Sequence, residues 1–329
     1  MKSFPVIIRS LLLLLPAAWT SLGFAQGAET WPRRPIHITV VFAPGGGADV
    51  AARLVGPKLS ERLGQPVIIE NRPGMGGGLG ADYVAKSAPD GYNLVLASSG
   101  GLTSLPFLYK NVPFNAEKDL APITTFGVSP LVLVAGPTFQ GKTVKDVITL
   151  AQQQPGILAH ATAGGNGTAP HLAAELFKVM TKTQIIHVPF KGGAPALMSV
   201  MAGDMPLGFV DLATVRPQLE SGKVRALAVL GKNRTSVAPQ IPTVAESGVP
   251  GYEAEGWFAL MAPAGTPAAI IARLNKELRD ILESPDVKAR FATVGLEPTS
   301  STPEEVAQMI RRDSAKWGKL IKEYNITAD

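Results

Sequence analysis

Two glycine-rich turns, Ala43-Pro44-Gly45-Gly46-Gly47-Ala48-Asp49 and Thr162-Ala163-Gly164-Gly165-Asn166-Gly167-Thr168, each stand between a short β-branched run and an alanine- and leucine-rich run, in opposite halves of the sequence. A helix start carries N–H groups with no partner in the helix and about half a positive charge. Glycines in front of it let a carboxylate or phosphate reach those amides without Lys or Arg. Two such turns predict capture of one anion rather than covalent chemistry. The four histidines, His37, His160, His171 and His187, show neither H-x-x-x-H nor H-E-x-x-H spacing, so a metal site has little support. No serine sits in G-x-S-x-G, and no catalytic set is visible. His171 falls in the first turn of the helix after the second glycine turn, where it either faces a cleft or is buried and hydrogen-bonded. Asp49 and Asp211 either receive a ligand's amine or hydroxyl or cap their own helices, and Trp257 either stacks on ligand or fills a core.

Two nucleotide-like patterns have simpler accounts. Gly136-Pro137-Thr138-Phe139-Gln140-Gly141-Lys142-Thr143 matches G-x-x-x-x-G-K-[ST] between a strand and a helix. Pro137 removes an amide from the loop that would cradle phosphate, and no apolar strand ending in Asp offers a magnesium partner. Thr143 with Asp146 three residues on reads as a capping box instead. Gly76-Gly77-Gly78-Leu79-Gly80-Ala81 is a weak G-x-G-x-x-A without an acid at the ribose-binding spacing, and reads as a turn that brings backbone close to a small ligand.

The elements that must carry these turns alternate. Strands are expected over 36–42, 67–70 and 93–97, with helices over 49–63 and 77–86 between them. A second series has strands over 131–135, 158–161, 184–188, 207–210 and 224–230, and helices over 144–153, 171–180, 194–202 and 212–221. Such alternation predicts parallel α/β layers, one sheet for each series. Thr266-Pro267 and Thr302-Pro303 mark two later helix starts, Glu305 completing a box with Thr302. Their apolar stripes (Ile270, Leu274, Leu278, Ile281; Val306, Met309, Ile310, Trp317, Leu320, Ile321) face a core. Short apolar runs over 123–128 and 257–262 are the expected crossings between lobes. The domain reading is a signal peptide over 1–25, a first lobe built from 26–125 and 256–329, and a second lobe over 126–255.

Lys2 and Arg9, the apolar run Leu11 to Leu15 and the small residues Gly23 and Ala25 form that export signal, so the expected location is the periplasm. With no cysteine, disulfides, thiolate metal sites and a lipid anchor on an N-terminal thiol are excluded. The 31 Lys and Arg stand against 26 Asp and Glu, and loss of Lys2 and Arg9 leaves 29 against 26, a charge of +3. Basic residues are scattered, which gives no footprint for nucleic acid.

Taken in order, a set of short motifs resembles the substrate-binding proteins of tripartite tricarboxylate transporters, the Bug family. They include Pro44-Gly45-Gly46 with Asp49, Glu70-Asn71-Arg72-Pro73-Gly74, Asp90-Gly91-Tyr92, Gly165-Asn166-Gly167-Thr168 with His171, and Val188-Pro189-Phe190-Lys191-Gly192. Ile241-Pro242-Thr243-Val244-Ala245-Glu246-Ser247-Gly248 and Ala262-Pro263-Ala264-Gly265-Thr266-Pro267 continue the series. The resemblance implies an α/β, two-lobed periplasmic-binding-protein fold of type II. It implies closure on a small carboxylated metabolite, held largely by main-chain groups and ordered water, and delivery to the permease subunits of a membrane transporter. No cofactor, no metal and no catalytic residue is implied, and a monomer is expected. Carried over, the first-lobe loop is Ala43, Pro44, Gly45, Gly46, Gly47 and Asp49, with Gly74 and Ser98 beside it. The second-lobe loop is Gly164, Gly165, Asn166, Gly167 and Thr168, with His171, Lys191 and Asp211 nearby. The 162–167 turn holds one glycine more than the commoner serine-containing version, and Phe190 stands where a tyrosine is frequent. The rival readings are an extracytoplasmic hydrolase or isomerase using His171 with Asp211, and an accessory that presents ligand to a membrane sensor.

Overall fold

Short β-branched runs and amphipathic helices alternate along the computed structural model, which describes residues 31–327. The signal-peptide reading lies outside the described residues. In chain order the strands are β1 (Ile36–Val40), β2 (Val67–Asn71), β3 (Asn93–Ser98), β4 (Leu120–Ser129), β5 (Leu131–Ala135), β6 (Ala159–Thr162), β7 (Ile186–Pro189), β8 (Leu207–Asp211), β9 (Arg225–Val229) and β10 (Gly256–Pro263). The helices are α1 (Gly47–Leu63), α2 (Gly78–Ala85), α3 (Ser99–Thr103), α4 (Leu105–Leu108), α5 (Val144–Gln153), α6 (Ala169–Thr181), α7 (Gly193–Ala202), α8 (Leu212–Glu220), α9 (Ala268–Leu282), α10 (Pro285–Thr293) and α11 (Pro303–Glu323).

From Pro32 onward the chain is one compact unit with two five-stranded sheets, ordered β2-β1-β3-β10-β4 and β7-β6-β8-β5-β9. In each sheet three strands are parallel, as the alternation predicts. Each sheet also holds one strand that runs against the rest, β10 between β3 and β4 in the first and β5 between β8 and β9 in the second. Purely parallel layers are therefore corrected to mixed ones. A parallel neighbour needs a helical crossover, and β10 and β5 each enter from the other sheet without one.

The expected crossings also move. Residues 123–128 and 257–262 lie inside β4 and β10, which pair with one another from Leu120 and Pro263 to Ser129 and Gly256. Their apolar runs are buried and take their place in the sheet. The chain changes sheets at Pro130, which has no N–H to give a ladder, and returns through 230–255.

Strand order fixes where a site can form. From β1 the chain passes to β2 on one side and then back to β3 on the other; β6, β7 and β8 repeat this. Loops at the carboxyl ends of β1 and β3, and of β6 and β8, therefore diverge and leave a crevice in each sheet.

Strand β5 is buried on both faces. Leu131, Leu133 and Ala135 belong to the core with Val147, Leu172 and Phe177, and Val132 and Val134 to the core with Ala196, Val200 and Val215. The last helix carries two functions in one stripe. Its Val306 and Ile310 join the core under sheet one, whereas Trp317 and Ile321 join the core under sheet two.

The helix-start signals mostly hold. Thr143 and Asp146 form a reciprocal capping box on α5, as do Thr302 and Glu305 on α11. Thr266 does not cap α9. Its hydroxyl donates instead to the Pro263 carbonyl at 2.8 Å, and Pro267 is the N-cap residue. Replacing Thr302 with alanine is expected to cost about 1 kcal/mol, measured as a lower urea midpoint with unchanged slope.

Candidate functional site

The two glycine turns meet. Gly46 and Gly47 after β1, Ser98 and Ser99 at the end of β3, Ala163 and Gly164 after β6, and Asp211 at the end of β8 line a single cavity. Residues from the starts of three long helices reach it: Gly47 of α1, Ala169 and Pro170 of α6, and Gly193 of α7. None of these three helices has a side-chain hydrogen bond at its N-cap. No side chain therefore competes at these N-caps for the first amides, of which Pro170 supplies none. Phe42, Leu131, Trp257 and Phe258 supply apolar wall.

The lobes touch around this cavity. The Ser104 hydroxyl donates to the Gly167 carbonyl at 2.6 Å, so α3 and α4 are tied to the second glycine turn. A Cβ on Gly164, whose φ is +89°, would lie 2.6 Å from the Phe42 ring, which explains the glycine there. Backbone at Gly76 packs against the Asn166 carbonyl, so the 76–81 turn brings main chain against the opposite lobe.

Of the expected site residues, Gly46, Gly47, Ser98, Gly164 and Asp211 form the wall. Ala43 and Gly45 instead abut Gly192 and Ala194, while Pro44 is exposed beside them. Asp49 is 3% exposed and stands behind the loop, where its carboxylate accepts from the Gly45 N–H at 3.0 Å, from Arg53 at 3.0 Å and from Asn71 at 2.9 Å. Burial works to raise the Asp49 carboxyl, but Arg53, the Gly45 amide and Asn71 together hold it below the usual range. Its place is to fix the loop. Gly74 closes on Leu79, away from the wall. Thr168, fully buried, donates its hydroxyl to the Ala163 and Gly165 carbonyls and so shapes the second turn from behind. Gly165, Asn166 and Gly167 complete that turn outside the wall. Lys191 is exposed and does not line the cavity, because the chain turns outward between β7 and α7.

His171 is 2% exposed and points inward. Its Nδ1 accepts from the Gly167 N–H at 3.1 Å, and Nε2 lies 3.6 Å from Glu175. Both ring nitrogens thus face groups other than Asp211, and His171 does not line the cavity. The ring stacks on His187 at 4.4 Å, and His187 stacks on His160 at 5.2 Å. Burial, then the neighbouring His171, holds His187 down at about 3, and burial holds His160 well below its ordinary value. His171, Glu175 and His187 offer ligand atoms within 4.8 Å of one another. The rings are stacked rather than convergent, and Lys178 Nζ already lies 2.6 Å from Glu175.

At Asp211, burial pushes the carboxyl up to about 6. Asp211 is the N-cap residue of α8, yet its side chain makes no capping bond. Trp257 both fills the core of sheet one and lines the cavity, its indole N–H donating to Asp313 at 2.7 Å. Sequence reasoning missed Ser99 and Gly193. Their signal was present, since Ser98-Ser99-Gly100-Gly101 and Lys191-Gly192-Gly193 also place small residues between a strand and a helix.

Residues 51–326 match the tripartite tricarboxylate transporter family receptor. BugT of Bordetella pertussis is 38% identical over 311 residues, which are 93% of this chain and 94% of BugT. Among solved structures, Rpa4515 of R. palustris with adipate superposes with a TM-score of 0.87 at 34% identity, over 90% of this chain and 99% of that one. MatC (Rpa3494) from Rhodopseudomonas palustris with bound malate gives 0.83 at 31% identity, over 88% and 100%. The two sheets are thus the two lobes of a type II periplasmic-binding-protein fold. The chain belongs to the tripartite tricarboxylate transporter receptor family, known also through its Bug members.

Proposed function

We propose that the chain is an extracytoplasmic receptor that captures a small carboxylated metabolite between its lobes and delivers it to the membrane subunits of a tripartite tricarboxylate-type transporter. One observation carries this reading: three helix starts, from both lobes, reach one cavity without side-chain caps. Such amides stabilise an anion and ask for no cation. The bound adipate and malate of the two relatives support a carboxylate as that anion.

In this reading the first lobe comprises 26–125 and 256–329 and the second 126–255. Residues 1–25 direct export to the periplasm, and among the described residues no helix is long and apolar enough to cross a membrane. The receptor acts as a monomer and performs no turnover. Ligand meets the amides of one lobe first, and contact with those of the other makes the closed form lower in free energy.

A thermal-shift panel of mono-, di- and tricarboxylates, aromatic acids, amino acids and neutral amides tests it. An acid at 100 times its dissociation constant is expected to add about 2.7 kcal/mol. Equal stabilisation by uncharged amides of the same shape would overturn the anion argument.

A further inference from the structure

We propose that the preferred ligand is a monocarboxylate bearing a hydrogen-bond donor, an ammonium or hydroxyl group, on an apolar body, and that Asp211 with Ser129 selects it over a dicarboxylate. This rests on the receptor reading above and narrows its ligand class.

Asp211 is the one ionisable side chain among the described residues lining the cavity, and no Lys or Arg stands on that wall. The cations nearest in sequence to the two loops are committed elsewhere, Arg53 to Asp49 and Lys178 to Glu175, and Lys191 is exposed. The acceptors of Asp211 are not consumed by its own helix, because the side chain makes no capping bond on α8. Ser129 is fully buried, and its Oγ has no hydrogen-bond partner. A Cβ on Gly47 would lie 2.8 Å from that Oγ, so the hydroxyl stands directly behind the start of α1. Asp211 pairs in register with Leu131, two residues beyond Ser129, which sets the Ser129 hydroxyl near the Asp211 carboxyl. An acceptor and a free hydroxyl thus adjoin the amides that take the ligand's carboxylate.

The chemistry follows from this juxtaposition. A donor on the ligand gives Asp211 the partner that a buried anion needs. A second ligand carboxylate would instead share the cavity with Asp211 and with no cation, and like charges at close range disfavour one another. Phe42, Leu131, Trp257 and Phe258 then favour hydrocarbon for the rest of the molecule.

Isothermal titration of the purified chain at pH 7.5 with pentanoate, 2-hydroxypentanoate, 2-aminopentanoate, 5-aminopentanoate, glutarate and pentanamide tests the proposal. At least one hydroxy or amino acid is expected to bind at least tenfold more tightly than glutarate. Asp211→Asn is expected to reduce that ratio at least tenfold. Ser129→Ala is expected to reduce it by a smaller factor, and reads the same preference should the Asn variant not fold. Glutarate as the tightest ligand, or a ratio unmoved in both variants, overturns the proposal and leaves the carboxylate receptor standing. Pentanamide binding as well as the acids, or no acid binding at all, takes both down.

Discussion

Gly100→Ala is expected to leave the chain folded while weakening its ligand by about 10- to 100-fold. Gly100 lies in α3, and a Cβ there would come within 2.5 Å of the Gly167 carbonyl oxygen and 2.6 Å of the Ala169 nitrogen. Both are backbone atoms of the opposite lobe, so no rotamer change relieves the clash. Overpacking of this kind costs about 1–3 kcal/mol. In the closure proposed above, the closed form bears that cost and opening removes it, so it falls on affinity, where each 1.4 kcal/mol is about tenfold. Titration of the variant with any acid that stabilises the parent chain, beside its urea midpoint without ligand, separates the two. An unchanged dissociation constant would mean that closure does not bring α3 against the second glycine turn. The neighbouring Ser104→Ala removes only the hydrogen bond to Gly167, so its effect on affinity is expected to be several-fold smaller.

What the sequence made legible was local, and what it hid was long-range. Thr143 with Asp146 announces its helix within four residues, and α5 begins and ends where the pattern places it. Gly46, Gly47 and Gly164 are found on the wall because a glycine turn between strand and helix is itself the anion-binding device. Ser99, Gly193 and Trp257 reach the same cavity through strand order, which brings β3, β7 and β10 beside the turns; small residues before a helix mark the first two locally, but not that they meet. Lys191 and His171 show the converse difficulty. Their chemistry suits a ligand, yet residue type does not say which way a side chain faces: one is exposed, and the other is turned into a histidine stack. Asp49 was more readable than its assignment, since Arg53 four residues on is the spacing of a helical ion pair.

Ligand-free stability is expected to decline as the pH is lowered from 6.5 toward 3, and Asp211→Asn to make the decline steeper while raising stability at pH 7.5. His187 sits between His160 and His171, with Nε2 2.6 Å from the Thr162 hydroxyl. Burial and then the adjacent His171 hold it at about 3, against an ordinary value of 6.5. Between those values the unfolded chain takes a proton that the folded one refuses, so its contribution is complete above 6.5 and is lost as the pH falls through about 3. That window is worth up to about 5 kcal/mol, and His160, lowered by burial, acts in the same direction. Asp211 has the opposite sign. Pushed by burial from 3.8 up to about 6, it binds a proton more readily when folded. Its contribution is therefore complete below 3.8 and is lost as the pH rises through about 6. Asp211 masks part of the histidine loss, and its ionised form is a liability at neutral pH. Asparagine removes both effects, with an expected gain of about 1–3 kcal/mol at pH 7.5. Urea midpoints of both chains at pH 7.5, 6, 5 and 4 measure this. A parent chain more stable at pH 4 than at 7.5 would contradict the buried neutral histidines. An Asp211→Asn chain less stable at pH 7.5 would mean that the carboxylate is already satisfied without a ligand.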